Sequence, residues 1–271
     1  MPTFTLFPNS TACQMFGAVV KTQNKTVVFD GGTLGDHPQM IEYLKTHAKS
    51  HVDAWFFTHP HHDQLGTFVN VCRVAPEIEI DGIYCNFPTT CDLVNLEGRV
   101  DVEIQMWHSF DELVKTRFAN KFHRVSADDV FEFDEVKIHV LRTYNSEIKT
   151  NFINNSSAVY RIDGKEKRIL ILGDLGVEAG HEVMKNVPES ELYADYVQMA
   201  HHGQAGADEE FYKYIKPKGC IWASPDWLWD CDNGGGIGSG PWKTLETREW
   251  MEKLGVKEHI VEKDGMTVIQ F

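Results

Sequence analysis

The residues of this chain best suited to chemistry lie in one short run, Thr58-His59-Pro60-His61-His62-Asp63-Gln64-Leu65-Gly66, at the end of an apolar stretch. In an extended segment side chains alternate sides, so His59 and His61 face one way and His62 another. Asp63, just beyond, is placed to reach a neighbouring point. Two imidazoles and a carboxylate converging at a strand end form a ligand set for zinc or a similar first-row ion. A histidine-rich run can also be a solvated loop, so the case depends on what other strand ends carry. Asp174 terminates the run RILILGD, and His201-His202 terminate YVQMA with Gly203 after them. Both arrive by the same strand-to-loop construction, and three strand ends presenting metal-type ligands outweigh coincidence.

Such residues need strands to deliver them. Residues 25–30 (KTVVFD) form a β-branched run stopped by Gly31-Gly32, and 52–59 (VDAWFFTH) form a second apolar run. Between them, PQMIEYLKTHAK predicts a helix, with Pro38 in its first turn and Met40, Ile41, Leu44 and Ala48 on one face. The middle of the chain predicts short strands at 79–84, 131–133 and 136–141 and a helix around 110–118. Residues 157–162 and 168–172 flank the Asp163-Gly164 turn as a hairpin. Helices at 182–185, 209–215 and 242–254 then alternate with strands at 196–200, 220–224 and 266–271. This order favours sheets covered by helices over an all-β sandwich. No Pro- or Ser-rich linker divides the chain, which reads as a single domain, 1–271, of two similar halves at about 1–130 and 131–271.

These segments together resemble the metallo-β-lactamase superfamily, whose signature H-x-H-x-D-H-x-G lines up with His59 to Gly66. Phe29-Asp30-Gly31-Gly32 matches that family's early Asp-Gly turn, Leu172-Gly173-Asp174 its bridging aspartate, and His201 or His202 its late histidine. Asn154-Asn155-Ser156-Ser157-Ala158-Val159, Ile171-Leu172-Gly173-Asp174 and Ala200-His201-His202-Gly203 resemble the hydrolase domain of DNA-uptake competence proteins and related phosphocholine esterases, as does the closing Lys263-Asp264-Gly265-Met266-Thr267-Val268. The resemblance implies an α/β fold, a four-layer αβ/βα sandwich with a dinuclear metal site at one edge of two facing sheets.

The same resemblance implies a first ion at His59 and His61, joined by an asparagine, and a second at Asp63, Asp174 and one of His201 and His202, with Asp174 bridging. One or two divalent transition ions are expected, zinc first, with manganese or iron as alternatives. Gln64 stands where the family places a histidine, and its neutral amide is a weaker ligand, so the second ion is loosely held or absent. For the family's third first-site histidine the sequence offers Asn154 or Asn155. His139, His108 and His123 are not expected as ligands. Asp30 either orients a ligating imidazole from behind or bonds its own turn. Neighbouring side chains diverge, so one of His201 and His202 ligates; the other donates to the oxyanion or leaving group, or satisfies a loop carbonyl. Asp63, His201 and His202 are therefore also the candidates for catalysis. Trp222 reads as core, whereas Trp227 and Trp229 are candidates for a substrate wall over the metal edge.

Composition bounds what such a site acts on. The chain has 271 residues, 42% hydrophobic and 24% charged, which fits a globular protein and neither a disordered chain nor a membrane bundle. Lys+Arg number 26 against 40 Asp+Glu, a net charge of -14, which repels polyanions and argues against nucleic acid as a partner. No C-x-x-C pair occurs among the six cysteines. No run is long and apolar enough to span a membrane, and the chain reads as cytoplasmic. The glycine-rich Asp232 to Gly240 stretch is followed by Pro241-Trp242 rather than Lys-Ser/Thr, so it is read as a surface loop and not a phosphate cradle. The expected function is a metal-dependent hydrolase of a small-molecule phosphoester or phosphodiester. The alternatives are a lactone- or lactam-type acyl hydrolase and a degenerate, non-catalytic metal-binding scaffold.

Overall fold

The computed structural model describes residues 1–89, 92–93 and 101–271. Its strands are β1 (Thr3–Leu6), β2 (Gly17–Lys21), β3 (Thr26–Asp30), β4 (His51–Val52), β5 (Ala54–Phe56), β6 (Glu79–Ile80), β7 (Ile83–Cys85), β8 (Phe122–Arg124), β9 (Val130–Phe133), β10 (Val136–Arg142), β11 (Val159–Asp163), β12 (Arg168–Ile171), β13 (Tyr196–Gln198), β14 (Gly219–Trp222), β15 (Glu258–Val261) and β16 (Thr267–Gln270). They form one seven-stranded sheet in the order β16-β1-β2-β3-β5-β7-β8, a second in the order β15-β14-β13-β12-β11-β10-β9, and a small β4-β6 ribbon. The closing strand β16 returns to the first sheet, where Gln270 lies opposite Thr3.

Each sheet has one strand at which its pairing changes. β3 is antiparallel to β2 and parallel to β5, and β12 is antiparallel to β11 and parallel to β13. Loops at the carboxyl ends of parallel strands beside such a switch diverge and leave a crevice. Asp30 ends β3, and Asp174 follows β12 by three residues.

Apolar patterning stacks the layers. On β10, Val136, Ile138 and Val140 are buried while Lys137 is exposed. Between the sheets, the Phe56 ring lies 5.3 Å from Phe29 and 5.5 Å from Tyr160. Truncating Phe56 to Ala would remove about 3–5 kcal/mol of stability by leaving a cavity there. Trp55, Phe57, Phe68 and Phe110 fill the outer face of the first sheet beneath its helices, and Phe211, Tyr212 and Trp222 do so on the second. The result is the expected αβ/βα sandwich.

Several boundaries differ from the sequence reading. The apolar run 52–59 divides into β4 and β5, because Asp53 turns its carboxylate back to the Thr26 amide and the Lys25 ammonium. Thr58 to His61 then leaves the sheet. The predicted strand 79–84 is likewise broken, into β6 and β7. The predicted helix 182–185 is Val177–Asn186, and the helix placed around 110–118 is Asp101–Thr116. β1 and β2 were not anticipated: both are almost wholly buried, so they lack the apolar/polar alternation that marks a half-buried strand. Cys13, Cys72, Cys85, Cys220 and Cys231 are free thiols; Cys91 lies outside the described residues.

Candidate metal centre

The two switch strands bring their loops together at one edge. The Ala158 amide donates to the Thr58 carbonyl at 2.9 Å and the Tyr160 hydroxyl to the Phe57 carbonyl at 2.8 Å, tying the second sheet to the segment that carries His59. The approach is tight enough to require glycine at 173. A Cβ there would lie 2.8 Å from Thr58 Cβ, and φ is +57°, a conformation that L side chains rarely adopt. Asp174 follows, fully buried, its amide held by Ser157 Oγ at 3.0 Å.

Five donors converge there. His59 Nε2 lies 3.0 Å from His61 Nδ1 and 3.4 Å from Asp174 Oδ2, while His202 Nε2 lies 3.6 Å from Asp174 Oδ1 and 3.4 Å from Asp63 Oδ2. Bonds of about 2.0–2.1 Å at tetrahedral angles put neighbouring ligand atoms roughly 3.3 Å apart, so these spacings suit a transition ion. Asp174 turns one oxygen to His59 and the other to His202, the disposition a bridging carboxylate needs. Neither oxygen makes a hydrogen bond, nor does His202 Nε2, and all three are buried. Isolated buried carboxylates cost several kcal/mol, so the arrangement calls for a cation. Burial opposes charge on His202, yet Asp174 and Asp63 raise its pKa well above the ordinary histidine value. His61 goes the other way, pushed down to about 4 by burial and by His59.

The imidazoles are oriented from behind. Asp30 accepts the Thr58 amide at 2.8 Å and the Thr58 hydroxyl at 2.7 Å, so Thr58 Oγ1 is left to accept from His59 Nδ1 at 3.0 Å. That places the proton on Nδ1 and the lone pair of Nε2 at the centre. Asp30 thus reaches His59 through a hydroxyl rather than directly, and burial pushes its carboxyl up to about 7. His202 Nδ1 donates to the Ala223 carbonyl at 3.0 Å, again leaving Nε2 to the centre.

The backbone separates the adjacent histidines. His201 (φ 52°) and His202 (φ 57°) are both left-handed, a conformation that costs non-glycine residues of order 1–3 kcal/mol each. The turn buries His202 completely and leaves His201 at the rim, its side chain 18% exposed, with Nε2 3.8 Å from Asp174 Oδ2 and Nδ1 donating to the Ala205 carbonyl.

The remaining predicted residues divide. Gln64 is fully buried with neither amide atom hydrogen-bonded, and Asn154 Oδ1 is buried and unpartnered as well. Asn155 has no lone pair to spare: its Oδ1 accepts the Gly176 and Ala179 amides at the start of the Val177–Asn186 helix, and its Nδ2 donates to the Thr150 carbonyl and Glu178. Trp229 is packed edge-on against Trp222 at 5.3 Å and lies under the Arg248 guanidinium at 4.0 Å, so it supports the fold rather than a substrate wall. Trp227 stays half-exposed, 4.6 Å from Trp242, and donates to the Ala12 carbonyl. Sequence reasoning passed over Thr58, Glu103, Gln14 and Gln204. Glu103 accepts both the His62 amide and His62 Nδ1, at 3.0 and 2.6 Å, turning that imidazole from the centre. Thr58 is the one with a visible signal, a hydroxyl immediately before the first histidine.

No family model and no curated protein sequence matches the chain. Solved structures do. The chain is similar to the metallo-beta-lactamase fold protein YhfI from Bacillus subtilis, at 12% identity and a TM-score of 0.56 over 99% of each chain. It is similar to a diphosphatase from the PhnP family, at 13% identity and a TM-score of 0.50, over 100% of this chain and 98% of that one. Zn(2+)-bound PqqB from Methylobacterium extorquens gives 8% identity and a TM-score of 0.53 over the whole of both chains. Identities this low speak for architecture alone, and the architecture of this chain is the metallo-β-lactamase fold.

Proposed function

We propose that the chain is a metal-dependent hydrolase of a small phosphoester or phosphodiester. The observation that carries the reading is Asp174, a buried carboxylate with both oxygens free of hydrogen bonds and facing opposite histidines. His59, His61 and Asp174, with Asn154 Oδ1 as a further donor, would hold one ion; Asp63, His202 and Asp174, with the Gln64 amide, a second. An ion so placed would acidify a water to a pKa of about 7 and would polarise the electrophilic oxygen. Zinc suits the imidazole donors best, with manganese or iron as alternatives.

The chain's own residues do the rest. Thr58 and Asp30 keep the His59 proton on Nδ1, and the Ala223 carbonyl does the same for His202. Burial of both rings excludes competing water. His201, at the rim with its Nδ1 proton committed to Ala205, presents the lone pair of Nε2, which would take a proton from the attacking water and pass it to the leaving oxygen. Support for the phosphorus electrophile comes from the motifs that resemble the competence-protein hydrolase branch and from the fold shared with the PhnP-family diphosphatase. The charge of -14 favours a small substrate over a nucleic acid. A panel of a chromogenic phosphodiester, a lactone and a β-lactam, assayed with Zn²⁺ and with Mn²⁺, tests it. Turnover of the phosphodiester is expected; turnover of only the lactone or lactam overturns the phosphoester reading.

A further inference from the structure

Asp63, unlike Asp174, accepts a side-chain hydrogen bond from outside the histidine cluster. Besides His202, the Asp63 side chain meets Gln14, whose Nε2 lies 3.4 Å from Asp63 Oδ2. Gln14 is itself held: Gln204 Nε2 donates to Gln14 Oε1 at 2.8 Å. The chain of amides has one possible polarity. A carboxylate only accepts, so Gln14 turns its NH₂ to Asp63; its carbonyl oxygen then faces Gln204, which must donate.

The two glutamines come from opposite sheets. Gln14 lies in the loop between β1 and β2, and Gln204 follows the His201-His202 turn after β13. Trp227, beyond β14, fastens the same β1–β2 loop by donating to the Ala12 carbonyl at 3.0 Å. The loop is thereby strapped across the edge of the sandwich, over the side of the centre that Asp63 and His202 occupy.

We infer that Gln14 and Gln204 form an amide relay that positions Asp63 for the second ion, making them positioning residues specific to that ion. The inference rests on the proposed metal reading. Gln64 supplies a neutral ligand in the place of an imidazole, so the second ion depends heavily on Asp63 presenting its charge in the right direction. Neither His59 nor His61 shares a hydrogen bond with the relay glutamines; His59 is oriented through Thr58, and His61 lies against His59. The relay therefore acts on one ion and not the other.

The test is a competitive zinc titration of the metal-free full-length protein against a chromogenic chelator, resolving two dissociation constants. It compares wild type with Gln14→Met, Gln204→Met and the double variant, each followed by thermal unfolding. Methionine keeps the volume and removes the hydrogen bonds. Each single variant is expected to raise the weaker Kd by about tenfold or more, within the range for lost ligand-orienting partners. The tighter Kd and the melting temperature should stay unchanged. The double variant should do no worse than either single one, because both break the same chain. Unchanged weaker Kd values, additive losses, or equal losses at both ions with a lowered melting temperature overturn the relay. A wild type that binds a single ion overturns it while leaving the hydrolase reading in place, and a wild type that binds none overturns both.

Discussion

His59, His61 and Asp174 gather their donor atoms within 4.8 Å at the carboxyl end of β5, and His51, Asp53 and Asp81 do the same at its amino end. By composition the two clusters are similar, two histidines and an aspartate against one histidine and two aspartates. At the amino end every charge has a partner: Asp53 accepts from Lys25 Nζ and the Thr26 amide, each at 2.8 Å, and Asp81 meets His51 Nε2 at 2.9 Å. Water reaches His51 and Asp81, whose side chains are 37% and 54% exposed. At the carboxyl end the oxygens of Asp174 are buried and accept no hydrogen bond from the protein. The contrast shows that donor type and proximity do not make a site; buried lone pairs with nowhere else to go do, since the fold bears their desolvation for some other purpose.

Substitutions separate the two ends. The largest effect is expected from Asp174→Ala, which removes the shared carboxylate: affinity for both ions and hydrolysis should fall by more than about a hundredfold, since even losing a residue behind a ligand costs 10–100-fold. Titration with zinc and a phosphodiester assay read it. Next come the adjacent histidines. His202→Ala should lose one equivalent of metal, whereas His201→Ala should keep full metal content and lose about a hundredfold in kcat through its proton transfer; equal metal loss in both variants would erase the distinction drawn from their backbone turn.

Thr58→Val is expected to weaken the His59 ion by about tenfold. It also leaves Asp30 short of a donor, lowering stability by about 1–3 kcal/mol in denaturant unfolding. The smallest effect belongs to the amino end: His51→Ala should leave metal content and activity unchanged and shift stability by no more than about 1 kcal/mol, as for other exposed pairs. A metal deficit in His51→Ala would break the comparison.

Much of the centre was legible in the sequence because strand ends and ligand chemistry coincide there. His59, His61, Asp63 and Asp174 each follow an apolar run, and those runs became β5 and β12. What escaped depends on backbone direction or on distance along the chain. His201 and His202 are indistinguishable until two consecutive left-handed residues turn one inward. Asn154 and Asn155 differ because one caps the Val177–Asn186 helix and the other does not. Trp227 and Trp229 look alike in sequence, and only packing assigns Trp229 to Trp222 and Arg248. Gln14 and Gln204 are 190 residues apart, and no local pattern joins them.

The central claim is that this edge of the sandwich is built around cations. Elemental analysis of protein purified without chelator, paired with anomalous diffraction at the metal edge, tests it most directly. The account predicts at least one equivalent of a divalent transition metal, with anomalous density enclosed by His59, His61 and Asp174 and a weaker peak beside Asp63, His202 and Gln64. Protein without transition metal, in which ordered water or protonated imidazoles satisfy both oxygens of Asp174, would contradict it.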